Sequence, residues 1–196
     1  MKAILLIAYV IIIVFLITSP SLALMIPLST EELADKSEVV IKGKVDDVQG
    51  KWSRDKNLIV TQVSVIIDKI YKGKLDEEKV VVEFDGGEVD GVGFGVSDSA
   101  RFNKGEEVLL FLKPAQSKVK GMIYNLIGSA QGKYSIDENG IAHKEGFSVF
   151  IEKDEDKSII DNDVPLDSLL RKMGYEPGHA FIWIDRGKKG KKKNKK

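Results

Sequence analysis

From Glu38 onward, apolar residues recur at every second position. Val39, Ile41, Gly43 and Val45 fall on one face of a predicted strand, with Lys42, Lys44 and Asp46 on the other. The next apolar residue, Val48, comes three positions after Val45, which predicts a bulge or bend. A second, longer strand places Ile59, Thr61, Val63, Val65 and Ile67 on one face and then jumps by three to Ile70. Interrupted registers of this kind let a sheet coil and close, because flat sheets do not close into small barrels. Val80, Val82 and Phe84 predict a third strand. Residues 108–112 are apolar throughout and predict a fourth, buried on both faces and closed by Pro114. Residues 122–127 and 133–136 are shorter strand candidates.

The flanks read differently. Ser29 or Thr30 caps a short helix whose first turn holds Glu31 and Glu32, and the spacing from Ser29 to Glu32 fits a capping box. After Pro165, residues 167–173 predict a second short helix ending at Gly174, with Leu166, Leu169, Leu170 and Met173 on one stripe. Between the two lie a strand candidate at 149–151 and an acidic stretch, 154–163, expected to be a solvated loop. Residues 180–184 form a last apolar run, a strand or docking segment. The pattern predicts one mainly β domain with short flanking helices.

Upstream of this domain, Lys2 precedes an uncharged apolar run over residues 3–17. Thr18, Ser19 and Pro20 break it, and Ser21-Leu22-Ala23 offers a small-x-small cleavage site. Residues 1–23 therefore read as a secretory signal peptide cut between Ala23 and Leu24. The alternative is a retained single-pass anchor over residues 3–20, since a span needs roughly 20 apolar residues. Either outcome places the following domain outside the cytoplasm. The expected organisation is a β-barrel domain over 24–136, an extension packed on it over 137–185, and a disordered basic tail over 186–196.

Composition sharpens this picture. With 0 Cys in 196 residues, disulfides, thiolate metal sites and a cysteine nucleophile are excluded. The formal net charge of +0 hides an asymmetry. Arg186 and seven lysines crowd the last eleven residues, so the body they follow is net acidic.

Three stretches carry a family resemblance. Ser37-Glu38-Val39-Val40-Ile41-Lys42-Gly43-Lys44-Val45 follows the first helix. Ile66-Ile67-Asp68-Lys69-Ile70-Tyr71-Lys72-Gly73 ends the long strand. Phe102-Asn103-Lys104-Gly105-Glu106-Glu107-Val108-Leu109-Leu110-Phe111-Leu112 follows a glycine-rich stretch. Over roughly residues 28–136 the layout resembles the netrin-module and tissue-inhibitor-of-metalloproteinases superfamily. Within it, the chain looks most like cysteine-free secreted prokaryotic proteins of unassigned function that share the stretch Gly86-Gly87-Glu88-Val89-Asp90-Gly91-Val92-Gly93. The resemblance implies an OB-like five-stranded barrel. It does not bring the inhibitory mechanism with it. Those inhibitors place a disulfide-held N-terminal cysteine on the protease zinc, whereas the mature N-terminus expected here is Leu24.

The most unusual segment holds Gly86, Gly87, Glu88, Gly91, Gly93 and Phe94. It reads either as a partner-binding loop on a rigid barrel or as a wide β-connection whose glycines supply positive φ. A dinucleotide loop needs a helix after its glycines, and Val96-Ser97-Asp98-Ser99-Ala100 does not promise one. His143 and His179 lack metal-site spacing, and Asp161-Asn162-Asp163 lacks the frame of a calcium loop. Ser97, Ser99 and Ser129 have no nucleophile-elbow frame. Trp52 and Trp183 read as core or rim residues rather than sugar platforms.

The functional expectation is an exported, non-catalytic binding module at the cell surface, with no cofactor motif, facing an unknown protein or surface polymer. Its basic tail either touches anionic membrane or wall polymers or is simply solvated, and nucleic acid is not expected. The alternatives are an inhibitor or regulator of an extracellular metalloprotease and, third, a secreted hydrolase.

Overall fold

The computed structural model describes residues 27–144 and 161–175. The signal or anchor segment, the cleavage pair Ala23 and Leu24, the strand candidates at 149–151 and 180–184, His179, Trp183 and the basic tail lie outside the described residues. Among the described residues, no helix is long and apolar enough to cross a membrane.

The protein is mainly β. Helix α1 (Thr30–Lys36) is followed by β1 (Val39–Trp52), β2 (Ile59–Lys72), β3 (Lys79–Asp85), β4 (Gly87–Val89), β5 (Val92–Phe94), β6 (Glu107–Gln116) and β7 (Met122–Leu126). A 3-10 turn (Ser129–Gly132) leads to β8 (Lys133–Ile136), β9 (Ile141–His143), β10 (Val164–Pro165) and helix α2 (Leu166–Lys172). Strand pairing runs β1-β2-β3-β7-β6 and returns from β6 to β1, a ring of five strands. Its β3–β7 seam is parallel and paired only at Val82 and Tyr124, whereas the other four contacts are antiparallel. From β6 the sheet continues through β8 and β9 to β10.

Alternation explains why the middle of the sheet is buried on both sides. Val108, Leu110 and Leu112 of β6 join Val39, Ile41, Val45, Val63, Val65, Val80 and Val82 in one cluster contributed by the ring strands. Leu109 and Phe111, on the opposite face, join Val40, Leu33, Tyr134, Leu169 and Leu170 in a second cluster covered by the two helices. Each such side chain, fully buried, contributes about 1.5–3 kcal/mol of transfer free energy. Both helices end as the sequence dictates. Ser29 Oγ accepts the Glu32 amide and the Glu32 carboxylate accepts the Ser29 amide, a complete capping box. At α2, Gly174 (φ 81) lets Tyr175 N–H reach Leu170 O at 2.9 Å and Gly174 N–H reach Arg171 O at 2.9 Å, a Schellman ending.

Three expectations need correction. The register does shift between Val45 and Asp47, but the extra residues on β2 fall at Asp68 and Tyr71. That change of phase buries Tyr71, at 4% exposure, and leaves Ile70 exposed at 36%. Pro114 does not close the fourth strand, since β6 runs through it to Gln116. Residues 113–116 pair with β7 alone, so the missing N–H can point where no ladder bond is needed. Finally, Asp161 is not part of a solvated loop but is buried. Its carboxylate accepts a hydrogen bond from Thr30 Oγ1 at 2.7 Å and pairs with Lys172, which ties α1 to α2.

Candidate functional site

The glycine-rich segment folds as a β-hairpin. Glu88 faces Gly93 and Val89 faces Val92, so Asp90 and Gly91 form a two-residue turn with φ of 52° and 76°. Both values are positive, as a type I′ turn requires, and Asp-Gly is a preferred pair for it. The segment is therefore a paired hairpin rather than an irregular loop, and its turn signal is the Asp90-Gly91 pair.

Two glycines dock the hairpin on the rest of the sheet. A Cβ on Gly50 of β1 would stand 2.1 Å from Glu88 O, and one on Gly87 would stand 2.4 Å from Thr61 Oγ1. Gly86 turns the corner at φ 100°, donating its N–H to Ile59 O at 2.9 Å while its own carbonyl accepts from Thr61 Oγ1 at 2.8 Å. Beyond this corner the hairpin stands clear: a Cβ on Gly91, Gly93 or Gly95 would meet nothing within 4 Å.

Those open glycines alternate with apolar side chains. Val92, Phe94 and Val96 are 50%, 42% and 40% exposed, and residues 90–98 are exposed without a break. Under the root of the hairpin lies an open cleft of about 850 Å³ bounded by Phe84, Asp85, Phe94, Val96, Ser99 and Arg101. It continues into a cavity of about 290 Å³ whose far bank is Gln116, Lys118, Asn125 and Leu126. The groove follows the β3–β7 seam, which has no pairing beyond Val82 and Tyr124.

The groove has a firm base. Phe102, 9% exposed, stacks on Phe84 at 5.9 Å. Lys133 Nζ binds Glu106 at 2.6 Å and Arg101 O at 2.5 Å, which holds the returning loop to β8. On β3, the buried Glu83 carboxylate accepts from Gln62 Nε2 at 2.7 Å, Ser117 Oγ at 2.6 Å and Lys118 N–H at 2.8 Å. Two residues on, Asp85 pairs with Lys118 Nζ at 2.5 and 2.7 Å across the groove. The floor is therefore fixed by hydrogen bonds, while the apolar rim of Val92, Phe94 and Val96 is exposed.

Of the residues singled out from the sequence, Gly86, Gly87 and Phe94 line the groove. Gly91 forms the turn, and Gly93 lies on β5 outside the groove. Glu88 is exposed and presents its carbonyl to Gly50. Val92 and Val96 complete the exposed row; their spacing about Phe94 is the period of a strand with one apolar face. Asp85, Arg101 and Lys118 reach the groove through long-range pairing that no local pattern announces.

A second polar cluster sits on the far strands. His143 Nδ1 lies 2.6 Å from Asp163 Oδ1 and its Nε2 lies 3.4 Å from Asp137 Oδ2. The hydrogen bond to Asp163 raises the imidazole pKa above 6.5, and Asp137 is lowered chiefly by the Ile141 amide. Carboxylates on opposite ring nitrogens cannot converge on one cation. Asp161, Asn162 and Asp163 likewise turn to different partners: Asp161 to Thr30 and Lys172, Asn162 to the Lys144 amide, and Asp163 to His143. Among the described residues, no group of three or more His, Cys, Asp and Glu side chains is placed to hold a metal ion.

The sequence matches no family model and no curated protein.

Proposed function

We propose that this chain is an exported, non-catalytic binding module at the cell surface. Its partner surface is the hairpin β4–β5 with the groove beneath it, and its partner is an extended segment of a surface protein. The observation that carries this reading is the exposed row Val92, Phe94 and Val96 interleaved with Gly93 and Gly95. A row of apolar side chains gives a partner surface to bury, and the side-chain-free positions between them let another backbone approach closely. Strand β5 has β4 on one side and no described strand on the other, so its main-chain groups are available for strand addition.

The scaffold under this surface is proposed to be an OB-like barrel. The cyclic strand order, with its single parallel contact between the third and last ring strands, supports that reading, as do the bulges that bend β1 and β2. A hairpin inserted after the third strand then corresponds to a functional loop borne on a rigid ring.

The test compares full-length protein with Phe94→Asp and Val96→Asp variants as bait for cell-envelope proteins. Capture of a defined partner should be lost in both variants while their thermal unfolding stays that of the wild type. Equal capture by all three would refute the assignment.

A further inference from the structure

Acids outnumber bases over most of the described residues, but one end of the ring reverses that balance. The end of β1 and its turn to β2, residues 51–58, carry Lys51, Arg54 and Lys56 with Asp55 as the lone acid. The end of β6 and its turn to β7, residues 113–122, carry Lys113, Lys118 and Lys120 with no acid. These stretches are far apart in sequence and joined in the fold. Arg54 N–H donates to Lys118 O at 2.9 Å, and the Arg54 guanidinium lies 3.5 Å from Val119 O. Ser117 Oγ holds the second turn by accepting the Val119 and Lys120 amides at 2.9 and 3.0 Å. Two turns that are already ordered therefore present the cations, and a ligand does not have to order them.

Between the turns lies an open cleft of about 550 Å³, lined by Ser53, Arg54, Asp55, Leu58, Ser117 and Lys118. The neighbouring acids leave most of the positive charge uncancelled. Glu83 is buried under three donors, and Asp85 is paired with Lys118. Asp55 is held in its own turn by Ser53 Oγ at 2.6 Å and Asn57 Nδ2 at 3.1 Å. Arg54, Lys56 and Lys120 are exposed and make no ion pair among the described residues. The presence of Asp55 narrows the ligand. Its Oδ2 accepts only from Asn57, so it keeps a lone pair for a further donor. A carboxylate among cations opposes a ligand that is anionic throughout, but it suits one that also carries hydroxyl groups.

We infer that this end of the ring binds an anionic polysaccharide, with Arg54, Lys56 and Lys120 meeting its carboxylates or sulfates and Asp55 accepting a sugar hydroxyl. A cleft of this volume takes a short stretch of such a chain, and the exposed lysines on either side follow it outward. Lys118 is the one lining residue shared with the groove under the hairpin, so the site stands apart from the proposed protein-binding surface. The domain then holds a surface polymer at one end of the ring and a protein segment along its β3–β7 seam.

The test titrates full-length protein with polygalacturonate and with heparin, a carboxylated and a sulfated chain. At least one should bind, with an affinity that falls as salt rises, and neutral dextran should not bind. Arg54→Glu with Lys120→Glu should weaken binding about tenfold or more. Lys36→Glu with Lys74→Glu makes the same change of charge at exposed positions elsewhere and should weaken it by less than about threefold. All four side chains are exposed, so thermal unfolding of both double variants should match the wild type. Binding of neither polysaccharide overturns the inference. So does equal loss in the two double variants, which is what attraction through the basic residues 186–196 would give. A single-stranded oligonucleotide that competes as well as the bound polysaccharide at equal charge overturns the assignment to a glycan. Every variant keeps the hairpin, so failure here leaves the partner-binding assignment standing.

Discussion

Gly50 lies directly under the carbonyl of Glu88, close enough that a Cβ there would stand 2.1 Å from the oxygen. The hairpin that carries the proposed binding surface is therefore seated on β1 by the absence of one methyl group. Gly50→Ala has no soft neighbour to displace, because the obstructing atom is backbone. It is expected to cost about 1–3 kcal/mol, the range of overpacking, and to loosen the hairpin. Gly93→Ala meets nothing within 4 Å and should stay within about 0.5 kcal/mol of wild type. Urea unfolding of the two variants checks the contrast.

Glu83 holds the far bank of the groove. Its buried carboxylate accepts three hydrogen bonds, from Gln62, Ser117 and the Lys118 amide. Glu83→Ala leaves those donors without their acceptor and should cost about 2–3 kcal/mol. Glu83→Gln keeps the shape and part of the acceptor capacity, so its loss should be smaller. Denaturant midpoints at constant m-value give the comparison.

Lys144 is the converse case, a buried amine whose Nζ has no hydrogen-bond partner among the described residues and sits 5.0 Å from the centre of the Tyr134 ring. Burial pushes its pKa down from 10.5 to about 8, against the pull of Asp161. Between pH 8 and 10.5 the unfolded chain binds more protons than the folded one, so stability rises with pH across that window. Lys144→Met keeps the apolar stem and removes the amine. It should be more stable than wild type by about 1–3 kcal/mol at pH 7, with the advantage shrinking above pH 8. Unfolding curves at several pH values measure both effects.

His143 works in the opposite direction. Its hydrogen bond to Asp163 raises the folded-state pKa above 6.5, so protonation favours the folded form. This contribution is complete below pH 6.5 and is lost as pH rises through the folded value. Because Asp163 precedes β10 and α2, the clasp links that segment to β9. Thermal unfolding followed from about pH 5.5 to 8 should decline with pH in the wild type, and His143→Gln should lack that decline.

The features readable from the sequence were those set by local chemistry. Ser29 and Glu32 announce their capping box three residues apart, and Gly174 marks the end of α2 by the conformation it must adopt. Alternation placed Val108, Leu110 and Leu112 on one face and Leu109 and Phe111 on the other, although only the fold shows that each face meets a different cluster. Ile70 and Tyr71 were not separable, because which of them is buried depends on where β1 lets β2 carry an extra residue. The hairpin was missed for another reason. Its glycines do not mark a turn as a group, and the deciding pair, Asp90 and Gly91, is a turn signal only between flanking strands. Asp85 and Lys118 are 33 positions apart and meet across the groove, a pairing that no window of local sequence contains.

The most direct measurement of the partner surface is site-specific photo-cross-linking in intact cells. A photoreactive phenylalanine replacing Phe94 should yield one discrete, higher-mass adduct with a surface protein, and the same group replacing Asn139, on the turn between β8 and β9, should yield none. If position 94 gives no adduct, or gives the same adducts as position 139, the hairpin is not the binding surface.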